Sequence, residues 1–143
     1  MLYKTKQLFE YQTIAELSKR LLETEHQKEE WSFIAKLRDG GRKNPLFCIH
    51  SGGGHVFFYS LLKKYLKKDR PIYAVQPVGL YGSEEMHQSV QEMTTEYLKA
   101  IREIQPNGPY NILVYCFSTS VGNEMAIQLS KIGEEINIIV ADT

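Results

Sequence analysis

Residues 108–126, GPYNILVYCFSTSVGNEMA, decide the fold of this chain because an apolar run turns abruptly into a helical pattern within them. The run Tyr110–Tyr115 has the short apolar and aromatic character of a buried strand. Residues 118–131 follow helical spacing, and Gly133 is placed to end that helix. Cys116 falls in the turn between the two elements. A sharp strand-to-helix turn lifts such a residue out of the sheet and places it at a helix N-terminus, where N–H groups and the helix dipole favour a thiolate or an oxyanion.

Short apolar runs and helical stripes alternate on both sides of the turn at Cys116. Strands are predicted at residues 46–49, 71–75, 110–115 and 136–141, and helices at 56–66, 90–104 and 118–131, with Ser89 as the N-cap of the second helix. This order predicts an α/β fold whose sheet is mostly parallel and covered by helices on both faces. Ligands of such sheets bind at the carboxyl ends of the strands. The candidate site residues are therefore those at 50–54, 76–77, 116–117 and 142–143.

The N-terminal third of the chain has a different character. Thr13 is a suitable N-cap for a short amphipathic helix that ends near residue 22, and the charged stretch ETEHQKEE at 23–30 has little to bury. We predict three parts: a helix within residues 1–22, a linker at 23–44, and an α/β unit at 45–143.

Composition narrows the classes of function. Seventeen basic residues balance seventeen acidic ones, so no net field gathers nucleic acid or anionic lipid. The first residues lack the apolar core of a secretory signal, and no apolar run approaches the roughly 20 residues that span a bilayer. We expect a cytoplasmic protein without nucleic-acid or membrane partners. Cys48 and Cys116 are then expected to be free thiols, with Cys48 in the core.

Residues 108–126 resemble the nucleophile region of type I thioesterase domains from nonribosomal peptide and polyketide synthases, members of the α/β-hydrolase family. In that family a strand after Gly-Pro-Tyr runs into Gly-x-Ser-x-Gly and then a helix. Here Val114-Tyr-Cys-Phe-Ser118 occupies the motif, with Cys116 at the position of the serine. Residues 46–59 are similar to the first strand and glycine-rich oxyanion loop of the family, and residues 133–142 to its acid-bearing strand. The resemblance covers about residues 45–143.

The resemblance implies a catalytic site and a reaction. Cys116 would be the nucleophile, Asp142 the orienting acid, and the backbone N–H groups of Gly52 and Phe117 the oxyanion hole. The reaction would release an acyl or peptidyl chain from a carrier-protein phosphopantetheine through an acyl-Cys intermediate, by hydrolysis or cyclisation. No cofactor would bind directly, because the substrate arrives on the carrier's own phosphopantetheine. A cysteine in this place keeps the acyl group activated as a thioester, which favours amide or strained-ring products.

Residues 8–22, LFEYQTIAELSKRLL, resemble the last helix of an acyl or peptidyl carrier protein, the domain that precedes a terminal thioesterase in these synthases. Together the two resemblances imply a carrier–thioesterase junction. The third catalytic residue of the family is a histidine after the acid, but the four histidines here, His26, His50, His55 and His87, all precede Cys116. We therefore expect a partial α/β-hydrolase fold whose C-terminal part, with lid and catalytic histidine, is missing.

Other interpretations of the same residues remain open. Val114 and Ser118 replace both motif glycines, so the fold could persist as a catalytically inactive interaction module. The glycines at 52–54 could instead cradle a phosphate, although the Lys-Ser/Thr ending of a P-loop is absent. Ser118 and Ser120 are possible nucleophiles by residue type but are expected to be packing or capping groups. The lysines at 63–68 are expected to form a solvated helix end, with docking of an acidic carrier as the alternative.

Overall fold

The computed structural model describes residues 13–16, 19, 32–79 and 85–141. Its strands are β1 (Ile34–Arg38), β2 (Leu46–Ile49), β3 (Ile72–Val75), β4 (Tyr110–Tyr115) and β5 (Ile136–Ala141); its helices are α1 (Leu62–Tyr65), preceded by a 3-10 helix (Phe57–Leu61), α2 (Val90–Ile104) and α3 (Ser118–Ser130). Within these described residues, no helix is long and apolar enough to cross a membrane.

The five strands form one sheet in the order β1-β3-β2-β4-β5. Strands β2 to β5 run parallel to their neighbours, and only β1, at one edge, is antiparallel. The chain moves outward from β2 to β3 and then returns to the other side of β2 to form β4. The crevice between β2 and β4 is therefore a topological switch point, the place where open α/β sheets bind ligands at the carboxyl ends of their strands. The predicted mostly parallel sheet is confirmed.

Helices cover both faces of the sheet, also as predicted. One core lies between the sheet and helices α2 and α3, and its fully buried side chains include Phe47, Ile112, Tyr97, Ile101 and Met125. The other core lies beneath the 3-10 helix and α1, where Val56 and Tyr59 pack on Cys48, Ala74 and Leu113. Along β5 this second face is uncovered in the described part of the chain: Ile139 is 47% exposed, and Leu113, Tyr115 and Ala141 line an open apolar cavity of about 380 Å³.

Two helix caps predicted from the sequence are present. The Ser89 hydroxyl accepts a hydrogen bond from the Glu92 N–H at 3.1 Å, at the start of α2. The Thr13 hydroxyl accepts one from the Glu16 N–H at 3.2 Å, and the Glu16 carboxylate accepts one from the Thr13 N–H at 3.1 Å, which forms a capping box. The rest of the predicted first helix lies mostly outside the described residues.

Two elements differ from the prediction. Part of the predicted linker at 23–44 is strand β1, which pairs with β3 and so belongs to the sheet. The predicted helix at 56–66 is a 3-10 helix followed by a single α-helical turn. The boundary at residue 45 and the assignment of residues 1–22 to a carrier domain stay predictions.

Arg38 at the end of β1 ties this edge strand to the segment that follows α1. Its guanidinium donates to the carbonyl oxygens of Leu66 at 3.0 Å, Lys67 at 2.7 Å and Arg70 at 2.8 Å. A planar guanidinium with five N–H donors is well suited to bind several carbonyl oxygens of one loop.

Replacing Arg38 by methionine keeps the stem but leaves these carbonyls without their donor. We expect the free energy of unfolding to fall by about 2–3 kcal/mol, the usual range for lost hydrogen bonds to a charged group. Urea denaturation followed by circular dichroism measures this loss. Lys36→Met on the same strand is the matched control, because its exposed ion pair with Asp39 should contribute less than about 1 kcal/mol. Equal losses in the two variants would show that the carbonyl cluster is not what holds β1.

Candidate active site

Cys116 occupies a strained turn between β4 and α3. Its φ is 54°, and among the described residues it is the one non-glycine residue with a positive φ. L-residues rarely adopt this left-handed conformation, which costs about 1–3 kcal/mol and persists only where the surroundings impose it. The Cys116 thiol is free, and the residue is exposed. The sequence prediction of a sharp turn that presents this side chain outside the sheet agrees with that geometry.

Ser118, at the second motif position, closes the turn. Its buried hydroxyl accepts a hydrogen bond from the Tyr115 N–H at 2.8 Å and donates one to the Tyr115 carbonyl oxygen at 2.9 Å. The Thr119 N–H bonds to the Cys116 carbonyl oxygen at 3.0 Å across the same turn. Ser118 is therefore a packing group that clamps the turn, as expected, and a glycine in its place would lack this clamp.

Val114, at the first motif position, is accommodated by a glycine elsewhere. Val114 is fully buried in β4, and a Cβ atom added to Gly122 in α3 would lie 2.9 Å from its Cγ1 atom. The missing side chain at Gly122 thus leaves the room that the valine takes up. The close approach of helix and strand, which the family motif achieves with a glycine before the nucleophile, is achieved here by a glycine six residues after it.

The residues predicted to form the oxyanion hole lie next to each other. A Cβ atom added to Gly52 would lie 3.5 Å from the Cβ atom of Phe117. The loop of Gly52 folds back through a hydrogen bond from the Gly54 N–H to the Ser51 carbonyl oxygen at 2.8 Å. In the described structure no side chain caps α3; the Thr119 and Ser120 N–H groups bond instead to the carbonyl oxygens of Cys116 and Phe117. That the amides of Gly52 and Phe117 share one oxyanion stays a prediction.

His50 is buried between these two loops and has both ring nitrogens engaged. Its Nδ1 atom lies 2.7 Å from the Ser51 carbonyl oxygen, and its Nε2 atom lies 2.8 Å from the Tyr97 hydroxyl. A carbonyl can only accept, so Nδ1 donates, and in the neutral ring Nε2 then accepts from Tyr97. The ring also stacks on Phe117 with centroids 6.3 Å apart. His50 therefore links the glycine loop to the start of α3 and is not free to act as a base.

Electrostatics keep this imidazole neutral. Burial lowers the pKa of His50 below its ordinary value of 6.5, the hydrogen bond to Ser51 partly offsets this shift, and the nearby His87 lowers the pKa further. Burial also raises the pKa of the Tyr97 hydroxyl, which therefore stays a donor. The sequence placed Tyr97 in the buried stripe of α2 but did not reveal its bond to His50. A buried tyrosine hydroxyl that needs a partner was the one available signal.

The structure places Cys48 in the core and does not describe Asp142. Cys48 is fully buried, and burial raises the pKa of its thiol far above the usual range, so its assignment to the core is confirmed. Asp142 lies outside the described residues. The last described residue of β5, Ala141, pairs with Tyr115, the residue before Cys116, so β5 ends beside the turn. Within the described residues, no group of His, Cys, Asp and Glu side chains could hold a metal ion.

The family model of the thioesterase domain matches residues 44–141. Malpibaldin synthetase of Mortierella alpina is 41% identical over 137 residues, which cover 95% of this chain and 2% of the synthetase. The dimodular nonribosomal peptide synthase of Bacillus subtilis strain 168 is 38% identical over 133 residues, which cover 93% of this chain and 6% of the synthase. The chain therefore spans only a small part of the length of these relatives.

Solved structures agree with the sequence relatives. A four-domain nonribosomal peptide synthetase bound to AMP and glycine superposes with a TM-score of 0.75 at 28% identity, covering 98% of this chain and 11% of that one. The NocB thioesterase domain from the nocardicin cluster superposes with a TM-score of 0.66 at 26% identity, covering 72% of this chain and 46% of that one.

A mostly parallel sheet with a positive-φ residue between a central strand and the following helix defines part of an α/β-hydrolase fold. With the family match and these relatives, the chain belongs to the thioesterase domain family, in the form found in nonribosomal peptide synthetases.

Because Val114 fills the space beside Gly122, the effect of Gly122→Ala on the free energy of unfolding should change sign when Val114 is shortened. In the natural background Gly122→Ala should destabilise the protein by about 1–3 kcal/mol, because the new methyl group overlaps a fully buried side chain. In a Val114→Ala background the same change should stabilise it by up to about 1 kcal/mol, because alanine favours helix more than glycine does. Denaturant unfolding of the four proteins measures the cycle. Identical effects in both backgrounds would refute the packing argument.

The lowered pKa of His50 predicts how stability depends on pH. The unfolded chain takes up a proton below pH 6.5 while the folded protein resists protonation, so the free energy of unfolding should fall as pH drops from 6.5 towards the folded-state pKa. The slope from one such proton is at most about 1.4 kcal/mol per pH unit. Urea unfolding at pH values from about 4.5 to about 7.5, on both sides of the ordinary histidine pKa, measures this slope. His50→Gln should flatten the curve, and an unchanged slope in that variant would assign the effect to another group.

Proposed function

We propose that this chain contains the nucleophile and oxyanion hole of a thioesterase that takes an acyl or peptidyl group from the phosphopantetheine of a carrier domain onto Cys116. The observation that supports this most directly is the exposed thiol in a positive-φ turn, next to Gly52 and at the start of an uncapped helix. The same turn supports Cys116 over Ser118 as the nucleophile, because the Ser118 hydroxyl is buried and makes two hydrogen bonds to the backbone of Tyr115.

The proposed reaction begins with attack of the Cys116 thiolate on the carbonyl carbon of the carrier-bound thioester. The N–H groups of Phe117 and Gly52 stabilise the oxygen of the tetrahedral intermediate, and the pantetheine thiol leaves. Water, an amine or a hydroxyl of the substrate then releases the product by hydrolysis or cyclisation. In this proposal Asp142 orients a histidine that carries protons, as the family resemblance implies. None of the four histidines of the chain follows Asp142, so the role is given to none of them.

A carrier domain is the proposed partner. Both sequence relatives match more than nine-tenths of the chain, although the family model begins only at residue 44. The matches therefore include residues before the thioesterase domain. The capping box at Thr13 supports a helix start where the resemblance to a carrier's last helix requires one. We propose that residues 1–22 belong to such a carrier domain.

The alternative is a catalytically inactive interaction module. The expected partial fold and the loss of both motif glycines favour this alternative. The contacts of Val114 and Ser118 weaken the second reason, because each side chain is accommodated by a specific partner. The two proposals differ in whether an acyl group reaches Cys116.

Incubation with an octanoyl thioester of N-acetylcysteamine, a short mimic of pantetheine, tests the proposal by intact-protein and peptide mass spectrometry. We expect one octanoyl group on Cys116, removable by hydroxylamine, and none on Cys48, which is fully buried. Iodoacetamide should likewise alkylate Cys116 in the native protein and Cys48 only after unfolding. Cys48→Ala should acylate normally, and Cys116→Ala should not acylate. A native protein that alkylates at Cys116 but never acylates there would support the inactive module.

A further inference from the structure

The peptide group that joins Ser51 to Gly52 is held on its carbonyl side. The Ser51 carbonyl oxygen accepts hydrogen bonds from the His50 Nδ1–H at 2.7 Å and from the Gly54 N–H at 2.8 Å. A carbonyl oxygen has two lone pairs, so these two bonds use both of them. The C=O and N–H groups of a trans peptide lie in one plane and point in opposite directions. The two bonds therefore also fix the direction of the Gly52 N–H, which is one of the two predicted oxyanion donors.

Tyr97 on α2 holds the imidazole ring of His50 from its other side. The Tyr97 hydroxyl lies 2.8 Å from the His50 Nε2 atom, and both side chains are buried. The Tyr97 ring packs in turn against Phe33 and His87, with centroid distances of 5.5 Å and 5.8 Å. Because these contacts restrict the phenol ring, its hydroxyl determines where the Nε2 atom can lie.

The same imidazole ring contacts the residue of the second predicted oxyanion donor. It stacks on Phe117 with an interplanar angle of 29°, and a Cβ atom added to Gly52 would lie 3.5 Å from the Phe117 Cβ atom. The His50 N–H bonds to the Val75 carbonyl oxygen at 3.0 Å, so the end of β3 holds the backbone of His50. The orientation of the ring then decides whether it keeps its bond to the Ser51 carbonyl.

We propose that Tyr97 is a positioning residue for the oxyanion hole and that it acts through His50. Its hydroxyl holds the imidazole ring where Nδ1–H binds the Ser51 carbonyl oxygen, and that bond directs the Gly52 N–H at the oxyanion. The inference rests on the proposed function, since the oxyanion forms when Cys116 attacks a thioester. It gives a role in the reaction to α2, an element that contributes neither the nucleophile nor a predicted oxyanion donor.

Two physical effects make this chain of hydrogen bonds matter for the reaction. Oxyanion donors are effective when they already point at the place where charge develops, so a fixed peptide plane is worth more than a mobile one. Hydrogen bonds in a chain also polarise one another. A bond received at Nε2 strengthens donation from Nδ1, and a stronger bond at the Ser51 carbonyl oxygen makes the N–H of the same peptide a better donor. No proton is transferred along the chain.

A comparison of two reactions at one thiol tests the proposal with the full chain. Acylation of Cys116 by octanoyl-N-acetylcysteamine passes through an oxyanion, whereas alkylation by iodoacetamide does not. We expect Tyr97→Phe to lower the rate constant of acylation about tenfold, less than the roughly 100-fold loss that follows removal of a donor. The rate of alkylation should stay unchanged. Mass spectrometry of the intact protein follows both reactions.

Tyr110→Phe is the matched control. Tyr110 is also fully buried, and its hydroxyl donates a hydrogen bond to the Pro106 carbonyl oxygen at 3.0 Å. This variant loses a comparable bond to a buried phenol but leaves the Ser51–Gly52 peptide untouched. We expect it to keep the ratio of acylation to alkylation of the natural protein.

A substitution of His50 tests whether Tyr97 acts through the imidazole ring. His50→Asn keeps an N–H donor close to the Nδ1 position but is too short to reach the Tyr97 hydroxyl. This variant alone should lower acylation relative to alkylation about as much as Tyr97→Phe does, and it provides the test if Tyr97→Phe does not fold. Adding Tyr97→Phe to His50→Asn should cause no further loss. Circular dichroism checks the folding of each variant.

Nuclear magnetic resonance observes the peptide without any reaction. Ser51–Gly52 is the only Ser-Gly pair in the sequence, so protein labelled with carbonyl-¹³C serine and ¹⁵N glycine by cell-free synthesis gives one Ser–Gly carbonyl–amide correlation. In Tyr97→Phe we expect the Ser51 carbonyl carbon and the Gly52 nitrogen to shift upfield, because a weaker hydrogen bond at the carbonyl shields both nuclei. Tyr110→Phe should leave this correlation in place.

The outcomes separate this inference from the proposed function. An unchanged ratio of acylation to alkylation in Tyr97→Phe, an equal fall in Tyr110→Phe, or an unshifted correlation would overturn the role of Tyr97. A further loss in the double variant would show that Tyr97 does not act through His50, which also overturns it. In each of these cases the natural protein still acylates at Cys116. Absence of acylation in the natural protein would overturn the proposed function and the role of Tyr97 together.

Discussion

The strained backbone of Cys116 is the constraint on which the rest of this site depends. A residue held at a positive φ returns to an ordinary conformation unless its neighbours prevent it, at a cost of about 1–3 kcal/mol. Two neighbours do so here. The Ser118 hydroxyl bonds to both backbone groups of Tyr115, and α3 lies close enough to β4 that a methyl group at Gly122 would overlap Val114. These contacts hold the backbone of Cys116 in the conformation that exposes its thiol.

The sequence predicted the sheet well because each central strand is a short apolar run bounded by turn residues. Strand β1 escaped prediction for a physical reason. Only three of its five residues are buried, it lies at an edge, and its partner β3 is more than 30 residues away, so its stability comes from pairing and from the bonds of Arg38 rather than from its own pattern. The region at 56–66 has helical spacing, but the structure divides it between a 3-10 helix and one α-helical turn.

The sequence predicted the position of the site about as well as it predicted the sheet. The position of Cys116 followed from the motif, and the proximity of Gly52 and Phe117 followed from the topology, since both come directly after neighbouring strands. The sequence did not reveal contacts between residues that only the fold brings together. Gly122 makes room for Val114 eight positions earlier, and Tyr97 on α2 is hydrogen-bonded to His50, which directly follows β2. The spacing of a motif does not reveal such compensating contacts. Val114 and Ser118 therefore suggest a disrupted turn in the sequence, although the structure shows the turn intact.

The open side of β5 is the place at which this sheet can grow. In the described part of the chain the strand has a neighbour on one edge only, and Ile139 and Val140 are about half exposed. A six-residue edge rich in β-branched side chains, without proline or a charged gatekeeper, is a template on which strands of other molecules can assemble. This edge is therefore where a further strand can extend the sheet.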